Sequence, residues 1–210
     1  MPAYGEGFWE RSWKRGKGKD HLSYAKPYYR LACPEIDIFR QNAIRTVCDA
    51  GCGYGAYALA LASNGFDVTA FDVSETAVEI AGRLLDRYGL RLAGRRTASV
   101  LDTGYPDGAF DGVVCFSVLD HLTASDAKAA LRELLRITRP GGLLLLAFDT
   151  PDEDDLVREH DLLPDGSFQY ANGMVFHPYD APAAESFLAG LRIIHRGSGP
   201  KGEIVVIVEK

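Results

Sequence analysis

Two carboxylates, Asp49 and Asp72, each close an apolar run, and three glycines on alternate positions, Gly51, Gly53 and Gly55, follow the first. Glycines at that spacing let the backbone turn tightly and approach a ligand closely. Carboxylates at the ends of neighbouring strands accept hydrogen bonds from hydroxyls or balance a cation. Asp120 and His121 follow a further apolar run, Phe110 to Phe116. An imidazole there can exchange a proton near neutral pH. The chain has no Gly-x-Ser-x-Gly nucleophile and no His or Cys set at metal-ligand spacing, so no metal is expected.

The elements that must position these groups follow from hydrophobic patterning. Ile44 to Cys48 reads as a buried strand ending in Asp49, and Ala56 to Ala62 as an apolar helix beyond the glycines. Strand, glycine turn and helix in that order form the nucleotide-cradling unit of a doubly wound sheet. Gly51-x-Gly53-x-x-Ala56 also satisfies a dinucleotide fingerprint. A pyrophosphate at the helix start requires backbone donors and no nearby anion, and Asp49 would repel it. The same carboxylate suits S-adenosylmethionine, which carries an ammonium group and a sulfonium.

Asp49-Ala50-Gly51-Cys52-Gly53-Tyr54-Gly55 resembles the first motif of the class I S-adenosylmethionine-dependent methyltransferases. The resemblance implies a Rossmann-like, doubly wound α/β fold. Its seven-stranded sheet would be mostly parallel, with an antiparallel last strand and helices on both faces. It covers residues 45–150 closely and the final strands loosely. Phe66 to Phe71 reads as the second strand, and Asp72 lies 21 residues after Gly51, where an acid can accept both ribose hydroxyls. Asp72-Val73-Ser74-Glu75 also reads as a helix cap. Thr97 to Leu101 is the expected third strand. By resemblance its closing Asp102 accepts from the adenine amino group, although a turn-forming Asp is the alternative. By resemblance too, Cys52, Val73, Leu101, Ser117 and Val118 border the cofactor, and Asp120 and His121 are the catalytic candidates at the end of the fourth strand. His121 either takes a proton from the acceptor or lines the pocket and caps the next helix without proton transfer. The helix over 124–138, then Arg139-Pro140-Gly141-Gly142 and the strand Leu143 to Phe148, repeat another family feature.

Three regions flank this 44–148 core within one expected domain. Residues 1–43 hold both tryptophans, Trp9 and Trp13, four apart and on one face of a helix. With Tyr24 and Tyr28 they form either a packed aromatic segment or a lid over the cofactor. Trp13 and Tyr24 are the lid residues assigned to the cofactor site. Residues 149–177 are an acidic insertion of weak periodicity, either a solvated loop or an acceptor-pocket wall with Phe168, Tyr170 and Phe176. Residues 178–210 hold a helix and the last two strands.

A net charge of −6 argues against a general nucleic-acid binder, and no stretch reaches the length of a membrane span. Four cysteines without framework spacing fit reduced thiols in the cytoplasm. The acceptor motifs of nucleic-acid methylases are missing, which favours a small-molecule acceptor and no DNA. Two other readings stand beside a methyltransferase: a cofactor-binding protein of this fold without transferase activity, and an NAD-dependent oxidoreductase, which Asp49 disfavours.

Overall fold

A computed structural model describes residues 6–16, 34–150 and 159–210; of Glu6 it describes the backbone alone. Their strands form a seven-stranded sheet in the order β3-β2-β1-β4-β5-β10-β9. The strands are β1 (Thr46–Ala50), β2 (Asp67–Asp72), β3 (Gly94–Thr97), β4 (Phe110–Phe116), β5 (Thr138–Phe148), β9 (Arg192–Ser198) and β10 (Ile204–Glu209). Pairings from β3 through β5 are parallel, and β10 runs antiparallel to both its neighbours. The expected fold class is therefore the observed one.

Side-chain alternation divides the core between the two faces of the sheet. Val47, Val114, Leu143, Leu145, Ala147 and Ile207 pack on one face with helices α2 (Pro34–Gln41), α3 (Ala56–Ser63) and α4 (Glu75–Arg87). Cys48, Val113, Cys115, Leu144, Leu146 and Phe148 pack on the other, with α5 (Ala124–Ile137) and α6 (Ala181–Phe187). Ser74, Thr123 and Asp180 cap α4, α5 and α6 by accepting from the third residue onward. At the amino ends of the strands, Asp111 accepts from the Arg45 and Thr46 N–H groups, both at 3.0 Å, and from Arg139 Nε at 2.7 Å. One carboxylate thus ties β1, β4 and β5 together.

The structure corrects the sequence reading in two places. The third strand is Gly94–Thr97, a polar edge strand, and residues 98–102 turn away from it through a Ser99–Asp102 bridge. Glu133 on α5 fixes that turn by accepting from the Thr103 N–H (2.9 Å) and hydroxyl (2.6 Å). Apolar Val100 is thereby tucked into the core beside the sheet instead of within it. The insertion also has its own order: β6 (His160–Leu162), β7 (Phe168–Tyr170) and β8 (Val175–Phe176) form a small antiparallel sheet.

Helix α1 (Glu6–Gly16) lies across α4, with Phe8 buried and both tryptophans on the side of the sheet's carboxyl edge. Among the described residues no helix is long and apolar enough to cross a membrane.

Candidate active site

The carboxyl ends of β1, β2, β4 and β5 surround a cavity of about 630 Å³. Its floor is the glycine turn. Gly51, Gly53 and Gly55 all have positive φ, at 71°, 51° and 87°. A Cβ on Gly51 would lie 2.5 Å from the Val118 side chain, and one on Gly55 would lie 2.9 Å from the backbone of Ala81. Gly55 does not reach the cavity; it lets α3 approach α4.

Asp49 and Asp72 line the cavity at the ends of β1 and β2, 2% and 6% exposed. Asp49 Oδ2 accepts from the Ala58 N–H at 2.9 Å. Asp72 accepts from Gly53 N–H and Ser74 N–H, each at 2.9 Å. Burial, with a smaller contribution from the Asp72 charge, pushes the Asp49 carboxyl up to about 7, and burial pushes that of Asp72 up to about 6. Two buried carboxylates in one cavity form an acceptor set that a cationic ligand with hydroxyls would complete.

Opposite this pair, β4 ends in Ser117, whose φ of 53° is left-handed for a residue with a Cβ. Ser117 N–H donates to Ala147 O at 3.0 Å and its hydroxyl donates to Asp149, which hold the kink. A turn of 3₁₀ helix (Leu119–His121) follows. His121 Nδ1 is 3.2 Å from the Val175 carbonyl. A carbonyl can only accept, so Nδ1 carries a proton, and in the neutral ring Nε2 is then the lone-pair nitrogen. Nε2 is 3.8 Å from Asp149 Oδ2. The Trp9 ring stands edge-on to the imidazole at 4.8 Å, and Phe176 supports it from another side at 5.8 Å.

Asp120, Asp149 and His121 each bring one atom within 4.8 Å of the others. The sequence hides this carboxylate–histidine set because Asp149 lies 28 residues beyond His121. Asp120 is fully buried and lies outside the cavity lining; it accepts from the Asp149 N–H at 2.9 Å. Burial raises its carboxyl. It supports the cavity wall, and Asp149 is the carboxylate that faces the cavity.

Of the residues named from sequence, the cavity gathers Trp13, Asp49, Gly51, Cys52, Gly53, Asp72, Val73, Ser117, Val118 and His121. Leu101 and the exposed Asp102 are not among its walls; the turn presents Ser99 and Val100 instead. Tyr24 and Tyr28 lie outside the described residues. Phe168, Tyr170 and Phe176 do not line the cavity, and β8 buttresses His121 from behind. Sequence reasoning missed Tyr57, Phe116, Thr150, Lys201 and Glu203, which also line the cavity.

Residues 48–146 match the family profile described as a methyltransferase domain. Malonyl-[acyl-carrier protein] O-methyltransferase of Serratia marcescens is 35% identical over 99 residues, covering 47% of this chain and 36% of that protein. Ubiquinone biosynthesis O-methyltransferase of Methylocella silvestris is 36% identical over 101 residues, 48% of this chain and 38% of that protein. The chain thus spans less than half the length of these curated relatives. The 1,6-didemethyltoxoflavin-N1-methyltransferase of Burkholderia thailandensis was solved with bound 1,6-didemethyltoxoflavin and S-adenosylhomocysteine. It shares the fold at a TM-score of 0.72 and 19% identity, covering 100% of this chain and 91% of that one. Residues 48–146 are thus similar to a methyltransferase domain, and the fold is shared with a solved methyltransferase.

Proposed function

We propose that the protein transfers a methyl group from S-adenosylmethionine to a small acceptor that gives up an O–H or N–H proton. The observation that carries this reading is one cavity with two buried carboxylates on one side and the His121 lone pair on the other. Bound S-adenosylmethionine supplies an electrophilic methyl group. The protein supplies alignment and electrostatics. Asp72 would accept the ribose hydroxyls, Asp49 would balance the ammonium end, and Gly51 and Gly53 would permit close backbone approach. Ser99 and Val100 take the place expected of Leu101 and Asp102 at the adenine edge. On the acceptor side, His121 Nε2 accepts the proton, and the nearby Asp149 carboxylate stabilises the imidazolium that results. Asp120 holds Asp149 in place. Trp9, Tyr57 and Phe116 exclude water, and Lys201 and Glu203 give the far wall its polarity.

We read residues 1–210 as one domain, with α1 as its cover and 149–177 as the acceptor-side support. A net charge of −6 and a cavity within the range of small-ligand sites support a small acceptor and no DNA. Free buried Cys48, Cys52 and Cys115 support a reducing compartment such as the cytoplasm.

Calorimetry with S-adenosylhomocysteine and NAD, followed by mass spectrometry on a panel of phenols, acids and amines, tests the reading. Binding of S-adenosylhomocysteine alone and replacement of one acceptor hydrogen by methyl are expected. NAD binding in its place would overturn the cofactor, and tight cofactor binding without turnover on any acceptor would leave a binding protein.

A further inference from the structure

We propose that Glu10 is a positioning residue whose carboxylate latches α1 onto the start of α4 and so holds Trp9 and Trp13 over the cavity. Glu10 Oε2 accepts from the Ser74 hydroxyl and from the Thr76 N–H at 3.3 Å, and Oε1 accepts from the Thr76 hydroxyl at 3.0 Å. The first turn of a helix presents N–H groups without intrahelical partners and a partial positive charge, so an acid from outside is well placed there. Hydrogen bonds to an ionised acceptor are the stronger kind. Lys14 on the same helix lies 3.1 Å from the carboxylate.

The contact lies between the two tryptophans in sequence and fixes both. Trp9 meets the His121 ring at 4.8 Å. Trp13 lies so close to the glycine turn that a Cβ on Gly53 would fall 3.1 Å from its ring. Apolar contacts of this kind hold a helix down without fixing where it sits, because they carry no direction. Glu10 supplies the direction. Ser74 also joins the latch to the site itself: its hydroxyl donates to Glu10 while accepting from Ala77 N–H, and its own N–H donates to Asp72. A cover seated by Glu10 and a carboxylate facing the ligand are thereby braced by one residue. A second, exposed tie runs from Arg11 to the Asn172 carbonyl at 3.3 Å.

That Glu10 seats the cover is a property of the free protein; that the cover retains the cofactor rests on the proposed function above. Glu10→Gln removes the charge and keeps the shape. Trp9 and Trp13 are the chain's two tryptophans, so intrinsic fluorescence reports on α1 directly. In the ligand-free protein, Glu10→Gln should raise hydrogen exchange across residues 6–16 and acrylamide quenching by about tenfold, with the sheet amides unchanged. Thr76→Val should act in the same direction and add little to Glu10→Gln, as expected for groups sharing one interaction. Release of S-adenosylhomocysteine in stopped flow should quicken by a similar factor, and once an acceptor is known KM for the cofactor should rise more than kcat falls. Unchanged exchange and quenching in Glu10→Gln overturn the latch. Loosened α1 with unchanged release overturns its role in retention. A wild-type chain that does not bind S-adenosylhomocysteine overturns the cofactor reading, while exchange still decides the latch.

Discussion

Replacing Asp72 by Asn separates the two jobs this carboxylate holds. Both its oxygens already accept backbone N–H groups, from Gly53 and from Ser74, each at 2.9 Å. Asn keeps one acceptor and turns an NH₂ toward the other donor, losing a bond to a charged acceptor, about 1.5–3 kcal/mol. Against that, Asn removes a charge that burial penalises enough to lift the carboxyl to about 6. The net cost to the ligand-free fold is therefore small, about 1 kcal/mol. Binding has no such offset. If the carboxylate takes the ribose hydroxyls, the variant loses about 1.5–3 kcal/mol of affinity, roughly tenfold to a hundredfold.

The pH dependence gives a second, independent signature. A bound cation favours the ionised forms of Asp49 and Asp72, which carry protons in the free protein up to about 7 and about 6. Binding then expels protons, so affinity for S-adenosylhomocysteine rises with pH through that window and levels off above it. In the ligand-free fold the sign is opposite: raised carboxyls contribute stability below their unfolded pKa that is lost as pH rises through the folded values. Calorimetry across the window should show Asp72→Asn binding weakly with a shallower slope. Unchanged affinity and slope, with a lowered melting temperature, would refute the reasoning and leave Asp72 as a brace between the glycine turn and α4.

Four further outcomes are expected. His121→Gln should cut turnover on an identified acceptor at least about a hundredfold while cofactor affinity holds, since it removes the proton-accepting Nε2; equal losses in both would make it a cofactor wall. Gly55→Ala should cost about 3 kcal/mol in urea unfolding, because the new Cβ would combine a φ of 87° with a 2.9 Å approach to the Ala81 backbone. Gly65→Ala, at a φ of 84° in open space, should cost about 1–2 kcal/mol by the same measure. Asp111, held at about 2 by hydrogen bonds from Thr46, Arg139 and Arg45 that outweigh the cost of its burial, contributes stability that is present above about pH 4. About 2 kcal/mol of it should be lost as pH falls through 2, and Asp111→Asn should flatten that limb without touching cofactor affinity.

The proposed cofactor half of the site is legible in sequence because one local unit makes it. Strand, turn, helix and second strand run without interruption from Thr46 to Asp72, and each glycine or acid sits where backbone geometry demands it. The third strand was misplaced for the opposite reason. Gly94–Thr97 is an edge strand of polar residues, held by its ladder to β2, while apolar 98–101 is turned inward by Glu133, 30 residues or more away. The three-stranded sheet of the insertion escaped notice because its strands are two or three residues long and give no period to read.

The acceptor side is not local at all. Trp9, Tyr57, the Phe116–His121 segment, Asp149 and Lys201 come from five separate stretches and meet only because their elements end at the same edge of the sheet. What can be read from sequence is the address, the carboxyl ends of the strands, because topology alone fixes it. The occupants of that address depend on how α1 is seated and on a histidine tautomer set by a carbonyl 54 residues downstream, at Val175. Acceptor choice is therefore expected to follow substitutions at the seat of α1 and at the β8 buttress as strongly as substitutions at the wall. A series of Trp9, Glu10 and Val175 variants screened against one acceptor panel would show it, and a panel that responds only to Tyr57, Phe116 and Lys201 would place selectivity in the wall alone.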